Sequence, residues 1–384
     1  MKTPVYLDNQ ATTPVDSRVV DVMLPYMTEQ FGNPHSTTHR YGWTAEAGVE
    51  KARRDIAAVI GASSEEIIFV SGATEANNLA IKGVMELAPA DRNHIVTVVT
   101  EHKCVLESVA SVERLGANVT LLGVGLNGLI DMNELAEAVT EQTALVTVMA
   151  VNNEIGVLQP IREIGRIAHA AGALMHCDAA QAFGKLPIDV STDNIDLLSI
   201  SGHKIYGPKG IGALYRRKGR DVRVAPQMSG GGQEGGMRAG TLSPALCVGL
   251  GMAAKLASED MMQESGRTAA LAKRFIEALN NAVPGLVYNG DMKNRWVGNL
   301  NISFPGLDGD LLLANLRKLA ISSGAACGSA VSGPSYVLEA IGVDRRLAKA
   351  SIRMGLGRFT TDEEIDFAAD YIIETVHKMG GLKL

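Results

Sequence analysis

Between residues 65 and 218 short apolar runs alternate with helical patterns, and this alternation constrains the fold more than any other feature. Ile67–Val70, Ile95–Val99, Val119–Leu122, Leu145–Ala150, Ala173–Cys177, Leu197–Ile200 and Gly212–Tyr215 are rich in Val, Ile and Leu and show little polar alternation. Strands buried on both faces read this way, which is the signature of a mainly parallel sheet covered by helices. One intervening helix is marked by Ile161, Ile164, Ala168 and Ala171 on a single face, with Gly172 placed as its C-terminal cap. The fold class is therefore α/β.

The texture changes near residue 258. Leu271, Phe275 and Leu279 recur on one long helix, and the apolar runs Leu300–Phe304 and Leu311–Leu316 follow. Thr360-Thr361-Asp362-Glu363-Glu364 reads as a capping box that opens a terminal helix running to about Met379. The expected organisation is a large domain over 14–259 and a smaller α/β domain over 1–13 and 260–384, with the turn-rich N-terminal segment packed on the latter. A chain of 384 residues can support two such cores.

A net charge of −6 with both signs interspersed argues against direct nucleic-acid binding. No apolar run reaches the ~18 residues a membrane span requires, and the N-terminus lacks a signal-peptide core, so a cytoplasmic location is expected. The four cysteines, at 104, 177, 247 and 327, form no Cys-x-x-Cys pair. Neither a disulfide framework nor a metal site is expected, His35 and His39 included.

Ligands of open parallel sheets bind beyond the carboxyl ends of the strands. Polar clusters follow five of the predicted strands: Gly72-Ala73-Thr74-Glu75-Ala76-Asn77, Thr100-Glu101-His102, Asn152-Asn153-Glu154, Asp178-Ala179-Ala180-Gln181 and Ser201-Gly202-His203-Lys204. Their chemistry is coherent. Thr74, Ser201 and His203 could hold a phosphate, helped by the start of a helix. Lys204 ends a buried strand, where desolvation makes an amine nucleophilic toward carbonyls. Asp178 could pair with a protonated pyridine nitrogen, and His102 could stack on a ring and carry protons. Pyridoxal 5'-phosphate requires this set. No Gly-x-Gly-x-x-Gly follows the first strand, which disfavours a dinucleotide-binding dehydrogenase.

With these residues in place, the chain resembles the class V aminotransferase family, and within it the cysteine desulfurases of the NifS/IscS type. The resemblance runs from Tyr6-Leu7-Asp8-Asn9 to Arg358-Phe359-Thr360-Thr361. It is carried by Val151-Asn152-Asn153-Glu154-Ile155-Gly156, Ser201–Gly210, Met237-Arg238-Ala239-Gly240-Thr241, Ser322-Ser323-Gly324-Ala325-Ala326-Cys327 and Ser351-Ile352-Arg353. It implies a homodimeric fold type I pyridoxal phosphate-dependent transferase acting on L-cysteine, yielding L-alanine and a persulfide. It implies that Lys204 carries the cofactor, Asp178 and Gln181 bond its ring nitrogen and phenolic oxygen, and His102 stacks on the ring. The phosphate would fall to Ala73, Thr74, Ser201 and His203, with Thr241 arriving from the partner subunit. Asn153 and Arg353 would hold the substrate carboxylate, and Cys327 would take the sulfur and pass it to an iron–sulfur scaffold or sulfur relay protein. A selenocysteine lyase or another class V transaminase is the alternative on the same fold.

Two features colour this resemblance. Many relatives carry Ser and Thr where this chain has Ala325 and Gly328, and the housekeeping enzymes run on beyond the equivalent of Leu384 into a tail that docks the scaffold. The run Ser229-Gly230-Gly231-Gly232-Gln233-Glu234-Gly235-Gly236 is expected to be too flexible to belong to a core. Cys104, Cys177 and Cys247 are expected to be structural.

Overall fold

In the computed structural model, which describes residues 2–323 and 334–380, three sheets carry the chain. The strands are β1 (Val5–Tyr6), β2 (Ile67–Val70), β3 (His94–Val98), β4 (Asn118–Leu122), β5 (Thr143–Met149), β6 (Leu174–Asp178), β7 (Leu197–Ser201) and β8 (Gly212–Arg216). After these come β9 (Val287–Tyr288), β10 (Asn299–Ser303), β11 (Leu319–Ala320), β12 (Ser322–Ser323) and β13 (Ser351–Gly355).

Strands β2 to β8 form one sheet in the order β2-β8-β7-β6-β5-β3-β4. Six run parallel. Only β8 is reversed, antiparallel to both β2 and β7. Every residue of β2, β5 and β7 is buried, which explains the absence of polar alternation. The edge strand β4 is half exposed, and its Leu121 faces solvent.

The second sheet has the order β12-β13-β10-β9 and is antiparallel. Its core joins Leu300, Ile302, Ile352 and Met354 to Leu271, Phe275 and Leu279 of the long helix and to Ile365, Ile372 and Val376 of the terminal one. The long helix is continuous over Pro244–Ala282, so the expected domain boundary at 259/260 falls inside an unbroken element. The terminal helix, Asp362–Lys378, opens on a capping box. Thr361 Oγ1 accepts from the Glu364 amide at 3.3 Å, and the Glu364 carboxylate accepts from the Thr361 amide at 3.1 Å. Strand β1 pairs with β11, tying the N-terminus to this half of the molecule.

The glycine-rich segment is held, contrary to the expectation from its composition. Glu234, with φ at +51°, sits among its glycines with a side chain only 1% exposed. Its carboxylate accepts two 2.8 Å bonds from the Arg53 guanidinium and one of 2.6 Å from the Phe69 amide. A second pair, Arg238 to Glu75 at 2.8 Å, fixes the far end of the segment. Flexibility inferred from glycine content is overridden here by one buried charge.

Candidate active site

The carboxyl ends of the parallel strands open on a cavity of about 440 Å³. Its wall includes Gln10, Thr12, Ala73, Thr74, His102, Cys104, Asn153, Asp178, Gln181, Ser201, His203 and Lys204. Nine of the residues singled out from sequence are thus brought together.

Each side chain is aimed by the turn that follows its strand. After β2, Gly72 adopts φ +156°, a backbone that side-chain-bearing residues rarely take, and delivers the chain into the helix Ala73–Glu86. That helix points its first turn, with Thr74, into the cavity. After β3, His102 caps the helix Lys103–Glu113 by accepting from the Cys104 amide at Nδ1, 3.2 Å away. Asp178 ends β6, and its Oδ1 accepts from the Ala180 amide at 2.9 Å. After β7, a short turn over Gly202–Lys204 presents His203 and Lys204 side by side. Lys204 Nζ donates to the carbonyls of Gln10 (2.6 Å) and Ala11 (2.7 Å).

Burial tunes the charges around this cavity. His203 is pushed down to about 4 by desolvation and then by the neighbouring lysines, Lys204 first, so it is neutral at pH 7. Burial lowers the Lys185 amine to about 7; its Nζ donates to Gln181 Oε1 at 3.2 Å. Glu101 is completely buried behind His102, and desolvation raises its carboxyl well above the usual range. Desolvation lifts Glu154 to about 7 against the opposing hydrogen bond from Ser335. Cys177 and Cys247 match the inert reading, since burial pushes both thiols up, Cys247 to about 12.

Two site residues lie elsewhere. Thr241 is exposed and does not line the cavity. Arg353 is 1% exposed and stands behind the wall, with Nη2 on Asp8 Oδ1 at 2.8 Å and Nη1 on the Asn153 carbonyl at 3.2 Å. Its Nε is buried with no hydrogen-bond partner among the described residues. Cys327 lies outside the described residues. Sequence reasoning passed over Gln10 and Thr12, which belong to a turn-rich stretch read only as packing, and placed Asn77 in the cluster after the first strand without giving it a role.

The residues present fit pyridoxal phosphate. The wall offers an amine (Lys204), an acceptor for a ring N–H (Asp178), an amide (Gln181), and hydroxyl and backbone donors at the start of a 14-residue helix. Asn153 lines the same cavity, and its Oδ1 is buried with no hydrogen-bond partner among the described residues.

A family model, Aminotransferase class-V, matches residues 5–367, and the chain belongs to that family, whose members of this kind are pyridoxal phosphate enzymes. The chain is 54% identical to the "Cysteine desulfurase IscS" of Rickettsia bellii, over 99% of this chain and 92% of that one. Among solved structures it is similar to a "NifS-like protein", with a TM-score of 0.91 and 36% identity, covering 97% of this chain and 99% of the other. It is also similar to "SspA in complex with cysteine", with a TM-score of 0.83 and 38% identity, covering 93% and 100%. Among the described residues no helix is long and apolar enough to cross a membrane.

Proposed function

We propose that this chain is a cysteine desulfurase that converts L-cysteine to L-alanine and lodges the sulfur on Cys327 as a persulfide. The single observation that carries this reading is the cavity itself, in which an amine, a carboxylate, an imidazole and a cluster of phosphate donors face one space. The names of the relatives supply the substrate, and the cysteine of the SspA structure agrees with them.

When bound, pyridoxal phosphate supplies an electron sink that allows bonds at the substrate carbons beside its nitrogen to break. Lys204 would hold it covalently. Asp178 would take the ring nitrogen, Gln181 the phenolic oxygen, and His102 would lie against the ring. Ala73, Thr74, Ser201 and His203 would surround the phosphate. His203 enters this set as a neutral ring. His102, which caps its helix through Nδ1, would carry protons to and from the substrate by cycling between the neutral and the protonated ring. Asn153 and Arg353 would fix the carboxylate. The Cys327 thiol attacks the substrate sulfur. The carbon–sulfur bond breaks, and the sulfur ends as a terminal S–SH on Cys327 while the three-carbon skeleton leaves as alanine.

The working unit of this reading is a cytoplasmic homodimer that hands sulfur to an iron–sulfur scaffold or a sulfur relay protein. Leu24, Met27, Phe31, Tyr41 and Trp43, all more than half exposed, supply an apolar face suited to a second copy. Thr241 would then reach the partner's phosphate. Residues 14–259 form the cofactor-binding unit, while 1–13 and 260–384 form the unit bearing Cys327.

The test pairs the visible spectrum with product assays. L-cysteine should change the spectrum of the yellow protein and release alanine and, with a thiol reductant, sulfide in equal amounts. Cys327→Ser should keep the spectral change and lose the sulfide. Full sulfide release by that variant would overturn the reading.

A further inference from the structure

We propose that Asp178 sets the proton position on His102 through Asn77 and Cys104, which makes Asn77 and Cys104 positioning residues of this site. The proposal rests on the reading of His102 as the proton-moving group given above.

Four side chains form one hydrogen-bonded row. Asn77 Nδ2 lies 2.7 Å from Asp178 Oδ2 and 3.1 Å from Cys104 Sγ, and Cys104 Sγ lies 3.0 Å from His102 Nδ1. Asn77 is completely buried, Asp178 is 5% exposed, and Cys104 and His102 line the cavity. The direction of each bond follows from what its neighbours can donate or accept. A carboxylate only accepts, so the amide must turn its NH2 toward Asp178. The second hydrogen of that NH2 then points at Sγ, so the sulfur accepts from Asn77. The Cys104 amide can only donate, so His102 Nδ1 carries no proton, and in the 3.0 Å contact the thiol is then the donor. Nδ1 also accepts from the Cys104 amide at 3.2 Å. Two donors on Nδ1 leave the ring proton on Nε2.

The row does what a lone helix cap cannot. Protonating Nδ1 would place a third hydrogen where two donors already point, and would force the thiol to turn or Asn77 to let go. His102 is thereby held as the neutral Nε2–H tautomer, and a proton taken up by the ring enters at Nδ1 as the thiol turns away, after which Nε2–H can be given up and the ring returns to neutral. Asn77 and Cys104 touch no reacting atom in this scheme. They act through His102.

The readout is the ring itself. Full-length protein labelled with ¹⁵N-histidine is observed by long-range proton–nitrogen correlation, with pyridoxal phosphate bound and after its removal. His102 is assigned by its loss in His102→Gln. The expected wild-type pattern is a protonated Nε2 and an unprotonated Nδ1. Cys104→Ala leaves the backbone donor alone on Nδ1, and the pH at which the ring protonates should rise by about one unit. The acidic limb of kcat should move by the same amount with little change in KM. Cys104→Ser keeps one donor and one acceptor in place and should restore the wild-type titration. Asn77→Leu should loosen the tautomer as Cys104→Ala does. A wild-type ring protonated on Nδ1, or identical titrations in wild type and Cys104→Ala, would overturn the proposal. An Nε2–H ring in a protein that makes no sulfide would leave it standing and sink the desulfurase reading instead.

Discussion

Removing the Glu234 carboxylate should cost far more than its place in a glycine-rich surface segment suggests. In the folded chain it is the partner of Arg53, whose side chain is 11% exposed, and the acceptor for the Phe69 amide inside β2. Breaking a buried pair by deleting one partner costs about 3–5 kcal/mol, because the other charge stays buried. Arg53 retains Glu50 at 3.0 Å and the Ile67 carbonyl at 2.6 Å, which places its loss at the lower end. The orphaned Phe69 amide adds about 1 kcal/mol, limited by water entering the space left behind. Both Glu and Ala carry the same strain at φ +51°, so that contribution cancels. Glu234→Ala is thus expected to lose about 3–4 kcal/mol, read by urea unfolding under conditions where refolding is complete. The double variant Arg53→Met, Glu234→Leu should be more stable than either charge deletion alone, since no unpaired charge remains. A loss below about 1 kcal/mol, or a double variant as weak as the summed singles, would refute this reasoning.

Three further outcomes follow from the same geometry. His176, bonded to Thr147 Oγ1 and Ser199 Oγ and held by burial at about 3, stays neutral in the fold while the unfolded chain protonates near 6.5. The unfolded state then binds the extra proton, so stability should fall as pH drops below about 6.5, by up to about 1.4 kcal/mol per unit, and His176→Gln should flatten that slope in melts taken between pH 4.5 and 7. Arg353→Ala should lower kcat/KM by roughly tenfold to several-hundredfold through the lost carboxylate pair, and steady-state kinetics giving an unchanged value would place the carboxylate elsewhere. Mixed dimers of Thr241→Ala and Lys204→Ala should regain one intact site; activity no better than the weaker parent would show that Thr241 does not act across subunits.

Much of this architecture was legible in the sequence because burial writes itself into composition. The seven strands of the large sheet begin and end within about two residues of their apolar runs, since a strand covered on both faces disfavours charge along its interior. The clusters after the strands were legible for the related reason that parallel strand ends share an edge. What stayed hidden depends on partners distant in the chain. Glu234 finds Arg53 across 181 positions, and nothing near Glu234 announces it. Arg353 was given to the substrate carboxylate by the family resemblance, and the anion it meets in the fold is Asp8, 345 positions away. Asn77 carried no role of its own in the cluster after the first strand, and Cys104 was read as a structural thiol. Only their meeting between Asp178 and His102 gives them a role.

The N-terminal segment shows why the two halves of the molecule cannot be treated separately at the site. Asp8 accepts from Arg353 of β13 and from Ser322 of β12, both at 2.8 Å, and Asn9 donates to the Gly355 carbonyl at 2.7 Å, so its first residues belong to the small sheet. Two positions on, the Gln10 carbonyl accepts from Lys204 at 2.6 Å and from Gln181 at 2.9 Å. Thr12 meets His203 Nδ1 at 3.0 Å, and Thr13 meets the His203 carbonyl and the Tyr206 amide. Asp16, bound to Arg358 at 2.8 Å, returns the connection to the C-terminal half. A stretch of nine residues therefore fastens the lysine turn of the large sheet to the arginine strand of the small one. The contacts of Asp8 with Arg353 and Ser322 and those of the Gln10 carbonyl with Lys204 and Gln181 thus stand two residues apart on one stretch of backbone, which joins the two halves at the cavity.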